Sequence, residues 1–222
     1  MQTIIAPQFV EDKTLTTSIV GLRAAMVRKE SGIFQHSVQV AKIVKLFCKY
    51  TTLTARQAYL LQFGATIHDI GKYHPEILPW MEKEGCTYSY GEYRVIQPRV
   101  APHVVLGWEQ LWAMDSFLCN YLTMKVENPL NQDYWFVIYA IEQHHENWDG
   151  SGYPAGLSGK DIHPAGRILR YCDSLETLLA RKKVSVRQAY QDIANKAGRE
   201  YDPGLLPAFE AVCEEIIKKR SL

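Results

Sequence analysis

Paired cysteines are the first thing this sequence lacks. Its five, Cys48, Cys86, Cys119, Cys172 and Cys213, stand far apart, with no Cys-x-x-Cys and an odd total. That spacing argues against a zinc ribbon or a disulfide scaffold and fits a reducing compartment. Net charge is lacking too, because 25 Lys and Arg against 24 Asp and Glu leave +1 over 222 residues. No DNA or RNA polymer partner is expected of so balanced a chain, although it leaves room for a local basic pocket that takes a small phosphate ligand. No apolar run approaches the ~18 residues of a membrane span. The start, MQTIIAPQFVEDK, has no basic residues leading a long apolar stretch and a small-residue cleavage site. Neither a membrane span nor secretion is expected, and the chain reads as cytoplasmic. Alternating strand patterns are scarce, and no repeat, low-complexity tract or linker divides the sequence.

What is present is helical periodicity. Leu15, Ile19, Leu22 and Met26 recur at spacings of four, three and four, which is one buried face of a helix. In 35–50, Val40, Val44 and Phe47 form a stripe, with Lys42, Lys45 and Lys49 largely off it. Thr54 suits the cap of a helix over 55–69 that stops near Gly71. Further helices are expected over 104–114, 133–146, 164–182, 185–197 and 204–220. Pro164 fits a first helical position, and Pro207 marks the start of the last helix. The aromatic and β-branched run 134–141 competes as a strand, but it continues into a polar histidine-rich end without a turn signal, which favours helix. Residues 83–102 and 119–132, with Gly85, Gly91, Pro98, Pro102 and the Asn128-Pro129 break, take no assignment. The expected fold class is all-α, a single helical bundle domain.

The seven histidines are 36, 68, 74, 103, 144, 145 and 163. His68 and Asp69 close one apolar helix, and His144 and His145 close another. Burying such polar pairs is costly unless something binds them, and a divalent metal does so well. Imidazole nitrogens with a bridging carboxylate suit iron, manganese or zinc. Each dyad taken singly is equally a hydrogen-bonded cluster at a helix end; two dyads with a matching lone His and Asp favour ligation.

The block 144-HHENWDGSGYPAGLSGKDIHPAGRI-168 and the dyad 68-HDIGK-72 resemble the HD-GYP family, a branch of the HD phosphohydrolase superfamily whose members hydrolyse cyclic di-GMP. The resemblance runs from about Gly32 to Phe209 and implies a bundle of the HD superfamily. It makes 1–31 an N-terminal helical extension and 32–222 the catalytic domain. It implies His36, His68, Asp69, His103, His144, His145 and Asp173 as ligands of two divalent ions, iron or manganese first, with zinc, nickel or magnesium as alternatives. It further implies that Tyr153 contacts the substrate and that Asp149 and Gly150 shape the loop around it. The expected reaction is in-line attack by hydroxide on a cyclic dinucleotide phosphate. Asp69 would bridge the ions, and Lys72 would stabilise the developing charge or protonate the leaving 3′ oxygen. Signalling protein partners are compatible with this role. His74 and His163 match no ligand position and are expected on the surface or in loops.

The chain also departs from the family. In 173-DSLETLLARKKVS-185, Glu176 replaces a second aspartate and an Arg-Pro-Tyr element is absent, so Arg181 or Lys182 is the candidate for phosphate contact. Gly32 stands where some members carry an extra glutamate for a third metal, hence the expectation of two. The roughly thirty residues before His36 are too few for a receiver or sensor domain. Three other readings are a broader HD-type nucleotide phosphohydrolase, an oxygen-using di-iron enzyme, and a module that binds the dinucleotide without turnover.

Overall fold

The structure, a computed structural model, describes residues 13–27, 32–81 and 98–220. Its helices are α1 (Lys13–Val27), α2 (Ile33–Cys48), α3 (Ala55–Ile67), α4 (Leu78–Met81) and α5 (His103–Met114). They continue as α6 (Ser116–Glu127), α7 (Trp135–Glu142), α8 (Pro164–Arg181), α9 (Val186–Ala194) and α10 (Leu206–Arg220). Among the described residues there is no strand, only the isolated bridges Asp149–Ser158 and Ala197–Tyr201. The fold class is all-α. No helix among those residues is long and apolar enough to cross a membrane.

Four helices set the frame. α2 packs on α3, α3 on α7, α7 on α8, and α8 back on α2, a closed quartet. The stripe Val40, Val44 and Phe47 is fully buried in it. α7 carries the apolar run that competed as a strand. It buries Phe136, Val137, Ile138, Ala140 and Ile141, more than one helical face, as expected of a helix enclosed by neighbours. Leu15, Leu22 and Met26 of α1 belong to the same hydrophobic cluster as the quartet, so the N-terminal helix shares the core.

Local signals explain several boundaries. Thr54 caps α3 by accepting from the Gln57 amide, and the Gln57 side chain accepts from the Thr54 amide, a reciprocal capping box. Ser185 and Gln188 repeat the arrangement at α9. Pro164 is the first residue of α8. Two expectations need correction. The stretch 119–132 is mostly helix, because Asp115 accepts from the Leu118 amide and starts α6, which runs to Glu127; the Asn128-Pro129 break ends that helix. The helix expected over 133–146 is only Trp135–Glu142, preceded by a 3-10 segment at Pro129–Tyr134. Most of 83–102 lies outside the described residues.

Two glycines set how closely the quartet and α5 approach. A Cβ on Gly64 would meet Ala140 Cβ at 2.7 Å, so α3 and α7 touch backbone to side chain there. A Cβ on Gly71 would lie 1.9 Å from the His103 carbonyl oxygen. The short 3-10 segment Ile70–Tyr73 is thereby seated directly on the start of α5. Gly71→Ala is expected to force these apart at a cost of about 2 kcal/mol or more, lowering Tm by roughly 5 °C in a thermal circular-dichroism melt. A parent-like Tm would show that this junction tolerates separation.

Candidate metal centre

Helix ends build the site. The last carbonyls of a helix have no partner within it, and here histidine rings take several of them. His68 Nδ1 meets the Ala65 carbonyl at 2.8 Å, and His144 Nδ1 meets those of Ala140 and Ile141 at 3.0 Å each. His103 Nδ1 meets the Val100 carbonyl at 2.7 Å. A carbonyl only accepts, so each Nδ1 carries the ring proton, and each Nε2 presents a lone pair inward. The Nε2 atoms of His103 and His144 stand 3.3 Å apart. Two lone pairs facing each other at that distance call for a cation between or beside them.

Asp69 lies at the junction. It is buried at 1% exposure, where α3 gives way to the 3-10 segment. Its Oδ2 lies 3.5 Å from His68 Nε2 and 3.7 Å from His36 Nε2, and it accepts from Lys72 Nζ at 2.5 Å. Its Oδ1 faces the other way, 3.3 Å from His103 Nε2 and 3.8 Å from His144 Nε2. Because the His103 proton is spent at Val100, Oδ1 gains no hydrogen bond there and is a buried oxygen without a partner; His145 Nε2 is a buried nitrogen in the same condition. Each group of atoms fits a metal: His36, His68 and Asp69 form one, and His103, His144 and His145 the other, with donor atoms within 4.8 Å in each. Asp173 Oδ1 joins the first group, 2.9 Å from His36 Nε2 and 4.0 Å from His68 Nε2. The structure therefore brings together all seven residues singled out as ligands.

Protonation follows from burial and charge. Burial disfavours a charged imidazole and holds His68, His144 and His145 below the ordinary histidine range. Burial also pulls His36 down, but hydrogen bonds to Asp173 and Glu176, with the charges of Asp173 and Asp69, outweigh it and raise its pKa to about 9. Against burial, the charge of the Lys72 ammonium holds the Asp69 carboxyl well below its usual range. Asp173 is held low against burial by its hydrogen bond to His36. Ionised carboxylates and mostly neutral imidazoles are the forms that ligate cations.

Glu176 is the residue that sequence reasoning read only as a substitution. It is buried, and its Oε2 accepts from His36 Nδ1. Among the described site histidines, His36 has a carboxylate behind it where His68, His103 and His144 have backbone carbonyls. Carboxylate backing fixes ring orientation and strengthens the other nitrogen as a donor. Glu146 and Gln143 were also passed over. The Glu146 carboxylate accepts from the Ala155 and Leu157 amides at 2.7 and 3.1 Å, and Gln143 Oε1 accepts from the His163 amide at 2.8 Å. The repeated acid in the histidine block was the available signal for Glu146; nothing local announced a contact between Glu176 and a histidine 140 positions away.

The loop after the second dyad is held against the site. Tyr153 stacks on His145 with centroids 4.8 Å apart, and its amide donates to the His145 carbonyl at 3.2 Å. Asp149 turns into its own loop, accepting from the Ser151 amide and hydroxyl at 2.9 and 2.6 Å. Gly150 has a φ of 84°, a conformation that favours glycine. A cleft of about 260 Å³ opens beside the cluster, lined among others by His36, Asp69, Lys72, Met81 and Arg181. Lys182 is exposed and outside that lining. His163, expected in a loop or on the surface, is half-buried between Phe136 and Tyr139, and its Nδ1 accepts from the Ala165 amide to cap α8. His74 stands 3.7 Å from Glu109 and away from the cluster's donor groups.

Comparison with known proteins agrees with this geometry. Residues 103–205 match the model of the HD domain family. A cyclic di-GMP phosphodiesterase of Vibrio cholerae serotype O1 is 27% identical over 92% of this chain and 41% of its own length. A 3′3′-cGAMP-specific phosphodiesterase of the same organism is 26% identical over 89% of this chain and 42% of its own. The solved HDG"Y"P protein of Bdellovibrio bacteriovorus shares the fold, with TM-score 0.57 and 21% identity over 84% of this chain and 53% of that one. The chain is thus similar to HD-domain proteins, and it spans about two fifths of the length of the curated relatives it matches.

Glu176→Ala is expected to weaken Mn²⁺ binding by about ten- to hundredfold, with Glu176→Asp retaining part of it. Calorimetric titration of metal-free protein checks this, and parent-like affinity in Glu176→Ala would leave the carboxylate without influence on His36.

Proposed function

We propose that the chain is a metal-dependent phosphodiesterase that hydrolyses cyclic di-GMP or a related cyclic dinucleotide to a linear product. The observation that carries the reading is Asp69, whose two buried oxygens face separate groups of histidine nitrogens. In this reading His36, His68, Asp69 and Asp173 hold one divalent ion, and Asp69, His103, His144 and His145 hold a second. An all-nitrogen-and-oxygen donor set suits iron or manganese, with zinc, nickel or magnesium as alternatives. When bound, such ions supply Lewis acidity toward phosphate oxygens and bring water to a nucleophilic state near neutral pH.

The chain's own residues do the rest. Asp69, kept ionised, holds Lys72 Nζ at the edge of the cleft. That ammonium is placed to stabilise charge building on the phosphate, or to give a proton to the 3′ oxygen as its bond to phosphorus breaks. Arg181, which lines the same cleft, is the better placed of the two basic candidates to hold a phosphate oxygen; exposed Lys182 gives it outer support. Tyr153, fixed by stacking on His145, presents a ring to the substrate, while Asp149 and Gly150 keep its loop in shape. Glycines at 150 and 152 let that loop close tightly, since a Cβ on Gly152 would lie 2.2 Å from the Asn147 amide nitrogen.

In the same reading residues 32–222 form the catalytic domain, and 1–31 is an extension whose described helix, Lys13–Val27, packs on it through Leu15, Leu22 and Met26. A cytoplasmic setting is supported by the described thiols Cys48, Cys119, Cys172 and Cys213, all unpaired. The names of the two Vibrio relatives cover both cyclic di-GMP and 3′3′-cGAMP, so both dinucleotides are the substrates to assay.

Asp69→Ala is expected to lose bound metal and cyclic di-GMP hydrolysis while keeping helical circular dichroism. Turnover at the parent rate in that variant would overturn the mechanism. Tyr153→Ala is expected to lower kcat/KM roughly tenfold or more for cyclic di-GMP, a loss of one stacked base, and less for bis-p-nitrophenyl phosphate. Equal losses on both substrates would make Tyr153 a support of the loop with no part in substrate recognition.

A further inference from the structure

A second groove, of about 430 Å³, runs between α2, α8 and α10 and shares Gln39, Glu176 and Ala180 with the metal-side cleft. We infer that this groove receives the second nucleotide of the cyclic dinucleotide, the half whose phosphodiester is not the one being cleaved; the inference rests on the phosphodiesterase reading. Size is the first argument. The cleft beside the cluster holds about 260 Å³, below the roughly 300–1,000 Å³ of sites that enclose a ligand of this class. With the adjoining groove the space falls within that range.

Helix geometry is the second argument. On α2, His36, Gln39 and Ile43 follow at i, i+3 and i+7, and on α8, Asp173, Glu176 and Ala180 do the same. Residues at those spacings share one helix face. Two parallel rows therefore lead from the metal donors into the groove, and from His36 to Ile43 the path is about 10 Å along the helix axis.

Chemistry is the third. The groove is floored by Ile43, Leu179 and Ile216, which suits the face of a purine, and Lys42 stands on its rim. The Lys42 ammonium reaches Gln39 Oε1 at 3.3 Å in an exposed position, where it is available to the second phosphate. The groove's one carboxylate, Glu176, is engaged by His36, so an apolar floor with Lys42 beside it matches a nucleotide better than a purely aliphatic ligand.

The test is equilibrium dialysis of cyclic di-GMP with the full Mn²⁺-loaded chain on ice, beside steady-state hydrolysis of cyclic di-GMP and bis-p-nitrophenyl phosphate. Ile43→Trp, which fills the groove, and Lys42→Glu, which reverses the rim charge, are each expected to weaken cyclic di-GMP binding roughly tenfold. Both should lower kcat/KM for the dinucleotide more than for the small diester. Lys42→Glu lies on the surface and keeps the test open if the larger side chain at 43 disturbs the fold. Parent-like dinucleotide affinity in the folded variants, or no dinucleotide binding by the parent, overturns the groove assignment. A parent that hydrolyses neither diester, yet binds cyclic di-GMP with groove-dependent affinity, overturns the hydrolytic reading and leaves the groove in place.

Discussion

The structure depends on one buried carboxylate set among imidazoles that have already spent their protons. His68, His103 and His144 each give the Nδ1 proton to a backbone carbonyl, so their Nε2 lone pairs turn toward Asp69. Without a cation this arrangement is costly, because lone pairs confront one another and Asp69 Oδ1 is left without a hydrogen bond. The same contacts that satisfy helix ends therefore create the demand for positive charge. Lys72 meets part of it at Oδ2; the histidine side of Oδ1 is where the remaining demand lies.

Packing and chemistry are joined at this point. The 3-10 segment after Asp69 rests on the start of α5 through Gly71, which puts His103 across from Asp69. The closed quartet brings α2 and α8 together, so His36 in the first turn of one meets Asp173 and Glu176 in the middle of the other. A small change in helix separation would alter several donor distances together. The loop over the site is tied down independently, by Glu146 from within and by Arg170 reaching Asn147 and Glu200 from α8.

Much of this was legible in the residue order, and the rest was hidden for physical reasons. Periodicity exposed the faces of α1 and α2, and Thr54 and Pro164 announced where helices begin. The two histidine dyads at the ends of apolar runs announced a polar site on helix termini. By contrast, α6 was hidden because Asn128-Pro129 made its neighbourhood look like a loop, although that break only ends the helix that Asp115 starts. The partner of His36 was hidden because hydrogen bonds between distant helices leave no spacing to read. Of the two basic candidates, Arg181 lines the cleft and Lys182 does not, a difference set by helix rotation that residue order alone does not give.

The most direct measurement is Mn²⁺ titration of the metal-free chain, followed by electron paramagnetic resonance. Two groups of donors sharing Asp69 predict two ions per chain, close enough that filling the second position attenuates and broadens the signal of the first through spin coupling. A single uncoupled ion at saturation, or no ion held at all, would contradict the account.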